Sequence, residues 1–489
     1  MNRSVIRCKW IFKTKRDADG NIDRYKARLV AQGYNQTYGI DYDETFSPVV
    51  RFESARSIIA LATNFGLKLH QMDIKTAFLN GSLQEEIYMK QPTGFVEEGK
   101  ENYVCKLKRS IYGLKQSARC WNSELDKQLK SMGFIQSSSD PCIYIHISGE
   151  EIFLIAVYVD DIILAGENDK MMRYVKNSIS QKFTVTDMGQ MYHFLGVKVI
   201  QNLENNMIWI GQPSYTKELL IRFKMEESKP VDTPFDVSMK LLKAKEGDEL
   251  FDKMKYQSAV GSLLYLSTRT RPDIAYAVSH IARFAAEPTP AHWTAVKRIL
   301  RYLNGTQNLG LTYVNENNSN LMGYSDADWA GDLNDRKSTS GYLFKLCGSV
   351  VSWKSKKQSC VALSTAEAEY MALASTIQEA IWLRQLLQEL QNLKGKVMKP
   401  TVIFEDNQST ICIARNPQYH GRTKHIDIKF HFVREQVALN KVVLEYCKSE
   451  NMIADILTKA LHGPQFKRLR NMMGMKIELK LPSTIEREC

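Results

Sequence analysis

Two apolar runs separated by only two residues restrict this chain more than any other feature. Phe153–Val159 and Ile162–Ala165 are β-rich, and Asp160 and Asp161 stand next to the junction. That spacing predicts a hairpin with two adjacent carboxylates at its tip. Asp is an ordinary turn residue, so a plain polar turn also accounts for the pair. The apolar flanks, however, place the tip against a packed sheet. A third acid, Asp73, follows the strand-like run Leu67–Met72. Three carboxylates from neighbouring strands form a donor set for hard divalent cations. Two such ions about 4 Å apart can ionise an attacking hydroxyl and neutralise triphosphate charge. On spacing alone, structural turns and a metal site both stay open.

The chain has 489 residues, which predicts about three domains at roughly 150 residues each. With 44% hydrophobic and 25% charged residues it reads as globular. No apolar run approaches the roughly 18 residues of a membrane span, so no membrane partner is expected. The net charge of +12 suits a polyanionic partner. Nine cysteines without a Cys-x-x-Cys pair argue against a disulfide framework or a zinc ribbon. Reduced thiols in a cytoplasmic or nuclear protein are the plain expectation.

Four parts are distinguishable along the chain. Residues 1–225 alternate short β-rich runs with helical patterns. Residues 226–318 open with a linker holding Pro230 and Pro234, and continue with helical patterns at Tyr256–Thr268, Pro272–Ala286 and Pro290–Leu303. Pro272 and Pro290 suit first-turn positions. Residues 319–462 combine strand candidates at Leu321–Ser325, Gly341–Leu346 and Thr401–Glu405 with a long helix, Ser364–Leu390. Residues 463–489 read as a basic tail.

Acid-poor basic stretches occur at 1–28, 102–123 and 267–302. Each alone reads as a solvated face. Beside carboxylate metal sites they read better as phosphate contacts. Lys297, Arg298 and Arg301 share one helix and could follow a duplex backbone. A second acidic constellation lies further on: Asp326, Glu369, Asp406 and Asp455, in the order strand, helix, strand, helix. Ser364-x-x-Glu367 has the form of a capping box, which gives Glu367 a structural task and favours Glu369. Asp328, two residues past Asp326, is a reserve ligand on the same face. Glu405 should point away from Asp406 if the strand continues. His425 and His431, with His420 nearby, have no common zinc-finger spacing, and a structural or substrate-contacting helix fits them better than a metal site.

Longer motifs make the reading specific. They are Lys9-Trp10-Ile11-Phe12-Lys13, Tyr25-Lys26-Ala27-Arg28-Leu29-Val30-Ala31-Gln32-Gly33, Glu44-Thr45-Phe46-Ser47-Pro48-Val49, Gln71–Leu79, Ile111-Tyr112-Gly113-Leu114-Lys115-Gln116 and Tyr158–Asp161. Phe194-Leu195-Gly196, Val260-Gly261-Ser262-Leu263 and Thr270-Arg271-Pro272-Asp273-Ile274 follow. In these runs the chain resembles the reverse transcriptase and ribonuclease H region of copia-like LTR retrotransposon Pol polyproteins. The resemblance implies an α+β right-hand polymerase of fingers, palm and thumb, followed by an α/β ribonuclease H-like domain. On it, 1–225 is fingers and palm with the fingers truncated at the amino terminus, 226–318 the thumb or connection, and 319–462 the ribonuclease H-like domain.

The resemblance also assigns roles. Asp73, Asp160 and Asp161 would be the polymerase metal ligands, and Asp326, Glu369, Asp406 and Asp455 those of the ribonuclease H. Each site would take two Mg²⁺ ions, with Mn²⁺ as a substitute. Phe78 would be a steric gate against a ribose 2′-hydroxyl, although a core Phe is the commoner fate of such a residue. Gln116 would sit near the incoming nucleotide, Gly196 would let the chain turn closely at the primer end, and Lys13, Lys15 and Arg28 would face the triphosphate. The implied partners are an RNA template, a DNA primer, the RNA/DNA hybrid, dNTPs and other parts of a Gag-Pol polyprotein. The expected location is a cytoplasmic virus-like particle or the nucleus. A catalytically inert or co-opted remnant that only binds nucleic acid is the alternative.

Overall fold

The computed structural model describes residues 4–16, 22–149, 151–315, 320–391, 398–415 and 427–479. They fall into two compact units, Met1–Arg51 with His70–Gln190, and Phe52–Leu69 with Met191–Cys489. Residues 226–318 and 319–462 therefore belong to one unit, although their compositions differ.

In the first unit, β1 (Cys8–Arg16) and β2 (Ile22–Ala31) form an antiparallel hairpin. The main sheet has β3 (Lys68–Ile74), β6 (Ile135–Gln136), β7 (Ile143–Ser148), β8 (Glu151–Tyr158), β9 (Asp161–Gly166) and β10 (Val185–Gln190), in the order β10-β3-β9-β8-β7-β6. A small ribbon pairs β4 (Tyr88–Lys90) with β5 (Val104–Lys106). Helices Ser117–Ser131 and Asp169–Lys182 bury Trp121, Leu125, Leu129, Met172, Val175 and Ile179 in a core shared with Met72, Ile74, Ile155, Val157, Ile162 and Leu164 of the sheet. This burial explains why the β8 and β9 runs are nearly continuous apolar sequence.

Among the described residues the second unit has two sheets. The first is antiparallel, in the order β11 (His193–Phe194), β12 (Val197–Asn202), β13 (Met207–Gly211), β14 (Leu309–Val314) and β20 (Met475–Ile477). The second is mixed. It contains β15 (Met322–Asp328), β16 (Thr339–Leu346), β17 (Ser349–Lys357), β18 (Thr401–Glu405) and β19 (Val442–Tyr446), ordered β17-β16-β15-β18-β19. Pairs 17–16 and 16–15 are antiparallel, and pairs 15–18 and 18–19 are parallel. The long helix Thr365–Gln391 connects β17 to the parallel half. No helix among the described residues is long and apolar enough to cross a membrane.

Two expectations are corrected here. Residues 463–477 are not a loose tail: Gly463–Met472 is a helix with Phe466 and Leu469 buried, and β20 pairs with β14. The β8–β9 turn is Val159-Asp160, because Asp161 already pairs with Tyr158. On the helix at Pro290, Arg298 and Arg301 both have partners within the chain. Arg298 pairs with Asp236 at 2.9 Å, and Arg301 donates to the Lys229 carbonyl at 2.7 Å. Both guanidinium groups are used to fasten the proline-bearing linker.

Candidate active sites built from two carboxylate constellations

The first site lies where β3 meets the β8–β9 turn. Val159 has φ 57°, a left-handed conformation that a β-branched residue rarely adopts. Asn-Gly would make this turn without strain. The Trp121 indole N–H holds the Val159 carbonyl at 2.6 Å, and the Ile74 amide holds that of Asp160 at 2.8 Å. Packing thus keeps a strained turn in place, with Asp160 in it and Asp161 directly after it.

Asp73, Asp160 and Asp161 are electrostatic neighbours. Burial raises the pKa of the Asp73 carboxyl, and the charge of Asp160 adds to the rise, while Lys26, Lys75 and Arg24 oppose it. Burial likewise raises Asp161, against a 3.1 Å hydrogen bond from the Gln71 side-chain amide. Among the described residues these three are not a group whose carboxylate oxygens all lie within 4.8 Å of one another, and one acidic cluster is. That cluster is in the second site.

The β1–β2 register places Lys9, Ile11, Lys13, Arg24, Lys26 and Arg28 on one face of the hairpin, and Trp10, Phe12, Tyr25 and Leu29 on the other. Arg28 lies over the Tyr112 ring at 5.5 Å, and Tyr112 packs against Phe78 with ring centroids 5.2 Å apart. Phe78 sits in a short 3-10 turn, Ala77–Asn80, entered through Thr76 at φ 54°, and Ser110 donates to its carbonyl. The half-buried ring packs on the sheet core, so it is neither fully interior nor loose. Lys15 lies in β1, but its side chain is outside the described residues.

Gln116 has internal partners. Its side chain is buried and uses both ends of its amide internally. It accepts from Gln36 at 2.9 Å and donates to the Asp41 carbonyl at 2.8 Å. It braces the 36–41 loop. In the second unit, Gly196 has φ 74° after Leu195 at φ 50°. A Cβ on Gly196 would meet the Tyr265 hydroxyl, which is itself bonded to the Leu195 carbonyl at 2.6 Å. The expected close turn is therefore present.

The second site gathers around the mixed sheet. Asp326 lies within β15, beside the parallel strand β18. Asp406 follows the last residue of β18, Glu369 projects from the second turn of the long helix, and Asp455 sits in the 3-10 turn Ile453–Leu457. Carboxylate oxygens of Asp326, Glu369 and Asp406 all lie within 4.8 Å of one another. The capping arrangement holds: the Glu367 amide is bonded to Ser364 Oγ at 3.2 Å, and the Glu367 carboxylate accepts from the Leu363 amide at 2.9 Å. That leaves Glu369 to face the cluster. Asp328 is partly buried and stands near Asp326 without joining the tight trio.

Hydroxyl groups orient the acids. Thr458 donates to Asp326, and Ser449 donates to Asp406 at 2.7 Å. Lys459 lies 2.9 Å from Asp455 and 3.9 Å from Asp326. Gly341 pairs with Asp326 across the sheet, and the 453–458 segment packs directly over it. A Cβ there would stand 2.6 Å from Thr458 Cγ2 and 2.8 Å from Leu457 Cβ, so glycine is what lets Asp455 approach.

Electrostatics mark this cluster as strained without countercharge. Burial, then the neighbouring acids, hold Glu369 well above the usual carboxylate range. Burial also raises Asp326, against Lys459 and Thr458. Burial and Asp326 push Asp455 up to about 7. For Lys459, burial acts to lower the pKa, but Asp326 and Asp455 reverse this and raise it. Glu405 is a further member: it is fully buried, and burial followed by Asp326 and Asp406 raises it strongly. The Oε2 atoms of Glu369 and Glu405 are buried without a hydrogen-bond partner. Orphaned buried oxygens of this kind fit a hard divalent cation.

The expectation that Glu405 points away fails because β18 ends at Glu405, so strand alternation does not extend to Asp406. Lys459 was legible only as a basic residue four places after Asp455; Gln71 and Tyr112 fall inside the motif runs but had no role assigned, and Ser449 and Thr458 carry no comparable signal. His431 lies on the helix Asp427–Ala438, while His420 and His425 lie outside the described residues.

An acidic turn on an antiparallel sheet, with a mixed five-stranded sheet carrying a carboxylate cradle, is the arrangement expected of a reverse-transcriptase polymerase fold followed by a ribonuclease H-like domain. A family profile described as "Reverse transcriptase (RNA-dependent DNA polymerase)" matches residues 1–237. The retrovirus-related Pol polyprotein from transposon TNT 1-94 of Nicotiana tabacum is 44% identical over 96% of this chain and 36% of its own length. That from transposon RE2 of Arabidopsis thaliana is 40% identical over 98% of this chain and 32% of its own. A putative transposon Ty5-1 protein of Saccharomyces cerevisiae is 35% identical over 63% of this chain and 100% of its own. A foamy viral protease-reverse transcriptase in complex with double-stranded DNA aligns over 90% of this chain and 65% of its own, at 14% identity and a TM-score of 0.21.

The chain belongs to the copia-type retrovirus-related Pol polyproteins and carries their reverse transcriptase region. It spans about a third of the length of the plant relatives.

Proposed function

We propose that this chain copies retrotransposon RNA into DNA and degrades the RNA strand of the resulting hybrid. The observation that carries this reading is the convergence of Asp326, Glu369 and Asp406 on one point, in a chain whose other unit holds Asp160 and Asp161 at a strained, braced turn beside Asp73. Asp73, Asp160 and Asp161 would hold divalent ions for DNA synthesis, and Asp326, Glu369, Asp406 and Asp455 those for RNA cleavage. Mg²⁺ in pairs, or Mn²⁺ in its place, supplies neutralisation of phosphate charge and activation of the attacking oxygen.

The remaining work falls to side chains. Gln71 sets the orientation of Asp161. The basic hairpin face, with Lys13 and Arg28, would attract the triphosphate and the nucleic-acid backbone. Phe78, backed by Tyr112, would crowd a 2′-hydroxyl and favour dNTPs. Thr458 and Ser449 fix Asp326 and Asp406, so little reorganisation is needed when charge develops. The Gly196 turn would hold the primer end. An RNA template, a DNA primer and other Pol segments are the implied partners.

The test is direct. Purified protein with Mg²⁺, a primed RNA template and dNTPs should extend the primer, and the Asp160→Asn and Asp161→Asn variants should not. Asp406→Asn should lose hybrid cleavage while extension persists. Absence of both activities from the unaltered chain at every Mg²⁺ and Mn²⁺ concentration would leave nucleic-acid binding alone.

A further inference from the structure

The four acids of the second site are not equivalent. Asp326, Glu369 and Asp406 bring oxygens within 4.8 Å of one another, and Asp455 is outside that trio. Asp455 is instead engaged by Lys459, whose ammonium lies 2.9 Å from it and 3.9 Å from Asp326. A cation thus already occupies the space between Asp326 and Asp455, and its side chain is 36% exposed. Lysine is a compact charge on a flexible four-carbon stem, so it can leave toward solvent without moving the backbone. The preceding residue, Thr458, holds Asp326 in place, which keeps that acid available on the Glu369 side.

We propose that Lys459 is a built-in competitor for the second divalent cation of this cradle. The first ion enters at Asp326, Glu369 and Asp406 without displacing the Lys459 ammonium from Asp455. The second must take the Asp326–Asp455 edge from the Lys459 ammonium, so loading is ordered and the second step is weak. The device sets the free-metal concentration at which the site becomes complete, and it keeps the incomplete site partly neutralised. The inference rests on the metal-site reading of these acids given above.

The experiment is a calorimetric titration with MnCl₂ alone. It uses the full chain carrying Asp160→Asn and Asp161→Asn, so that the other site does not contribute. The parent should bind in two steps, the second weaker. Lys459→Met should tighten the second step by roughly tenfold or more and leave the first little changed. Lys459→Gln should act in the same direction, and Lys459→Arg should keep the weak second step. In EDTA, Lys459→Met should melt lower than the parent, and Mn²⁺ should raise its melting temperature by a larger increment. A second step that is unchanged or weaker in both neutral variants overturns the proposal, as does a melting increment equal to the parent's. A parent that binds no Mn²⁺ overturns the metal-site reading itself, which is a distinguishable failure.

Discussion

Gln71 and Asp161 face each other across adjacent strands, with the glutamine amide nitrogen 3.1 Å from a carboxylate oxygen. The bond favours the charged form of an acid that burial otherwise disfavours. A hydrogen bond to a charged group contributes about 1.5–3 kcal/mol. Gln71→Leu should therefore slow primer extension by roughly ten- to a hundredfold. Hybrid cleavage by the same preparation should be unaffected, and equal loss of both activities would point to misfolding instead.

The aromatic pair Phe78–Tyr112 makes a separate prediction about nucleotide choice. With centroids 5.2 Å apart, Tyr112 limits how far the Phe78 ring can retreat. Tyr112→Ala should raise rNTP incorporation relative to dNTP incorporation, and Phe78→Ala should raise it more. Single-nucleotide incorporation with matched rNTP and dNTP measures the ratio. An unchanged ratio in Phe78→Ala would refute the gate.

Gly341 is where the sheet and the Asp455 segment touch. Gly341→Ala would set a methyl 2.6 Å from Thr458 Cγ2. Overpacking of this kind costs about 1–3 kcal/mol. The variant should lose hybrid cleavage and melt earlier, with extension retained in whatever fraction stays folded.

Acidity should act on the metal-free protein in an unusual direction. Asp326, Glu369, Glu405 and Asp455 all have raised values in the fold, Asp455 reaching about 7. Between the ordinary carboxylate range and the folded values, the folded chain keeps protons that the unfolded chain has released. Stability in EDTA should therefore fall as pH rises from about 5 toward 8. Binding of Mn²⁺ should release protons and weaken as pH drops below about 7. Calorimetry in buffers of different ionisation enthalpy counts the protons, and melting curves at pH 5.5 and 8 give the sign.

Arg271 and Asp273 form a buried ion pair at 2.8 Å, completed by the Tyr302 hydroxyl on Asp273 at 2.6 Å. Arg271→Met removes the countercharge from an acid with no access to water. The expected loss is about 3–5 kcal/mol, read from urea denaturation. A loss below about 1 kcal/mol would mean that Asp273 finds another partner.

Much of the architecture was legible from periodicity. The helix at Pro290, the long helix after Ser364 and the strands around Asp326 and Thr401 carry ordinary capping, proline and burial patterns. The acids were legible because strong motifs surround them. The segment after 463 was not, because Met475–Ile477 is too short to read as a strand until β14 is there to pair with it. The bracing role of Gln116 was hidden for a related reason, since its partners Gln36 and Asp41 lie some eighty residues away and sequence does not show that they meet it.

Local sequence by itself determined which residues could carry charge, turn the chain or enter a core, since propensity, capping and alternation act over a few positions. Only the tertiary structure decided that Val159 is held in a strained turn, that Glu405 joins the acid cluster and that Lys459 lies between Asp326 and Asp455. The reason is physical. Carboxylate protonation and the orientation of an acid depend on burial and on neighbours within a few ångströms, and many of those neighbours come from segments tens of residues to more than a hundred residues apart.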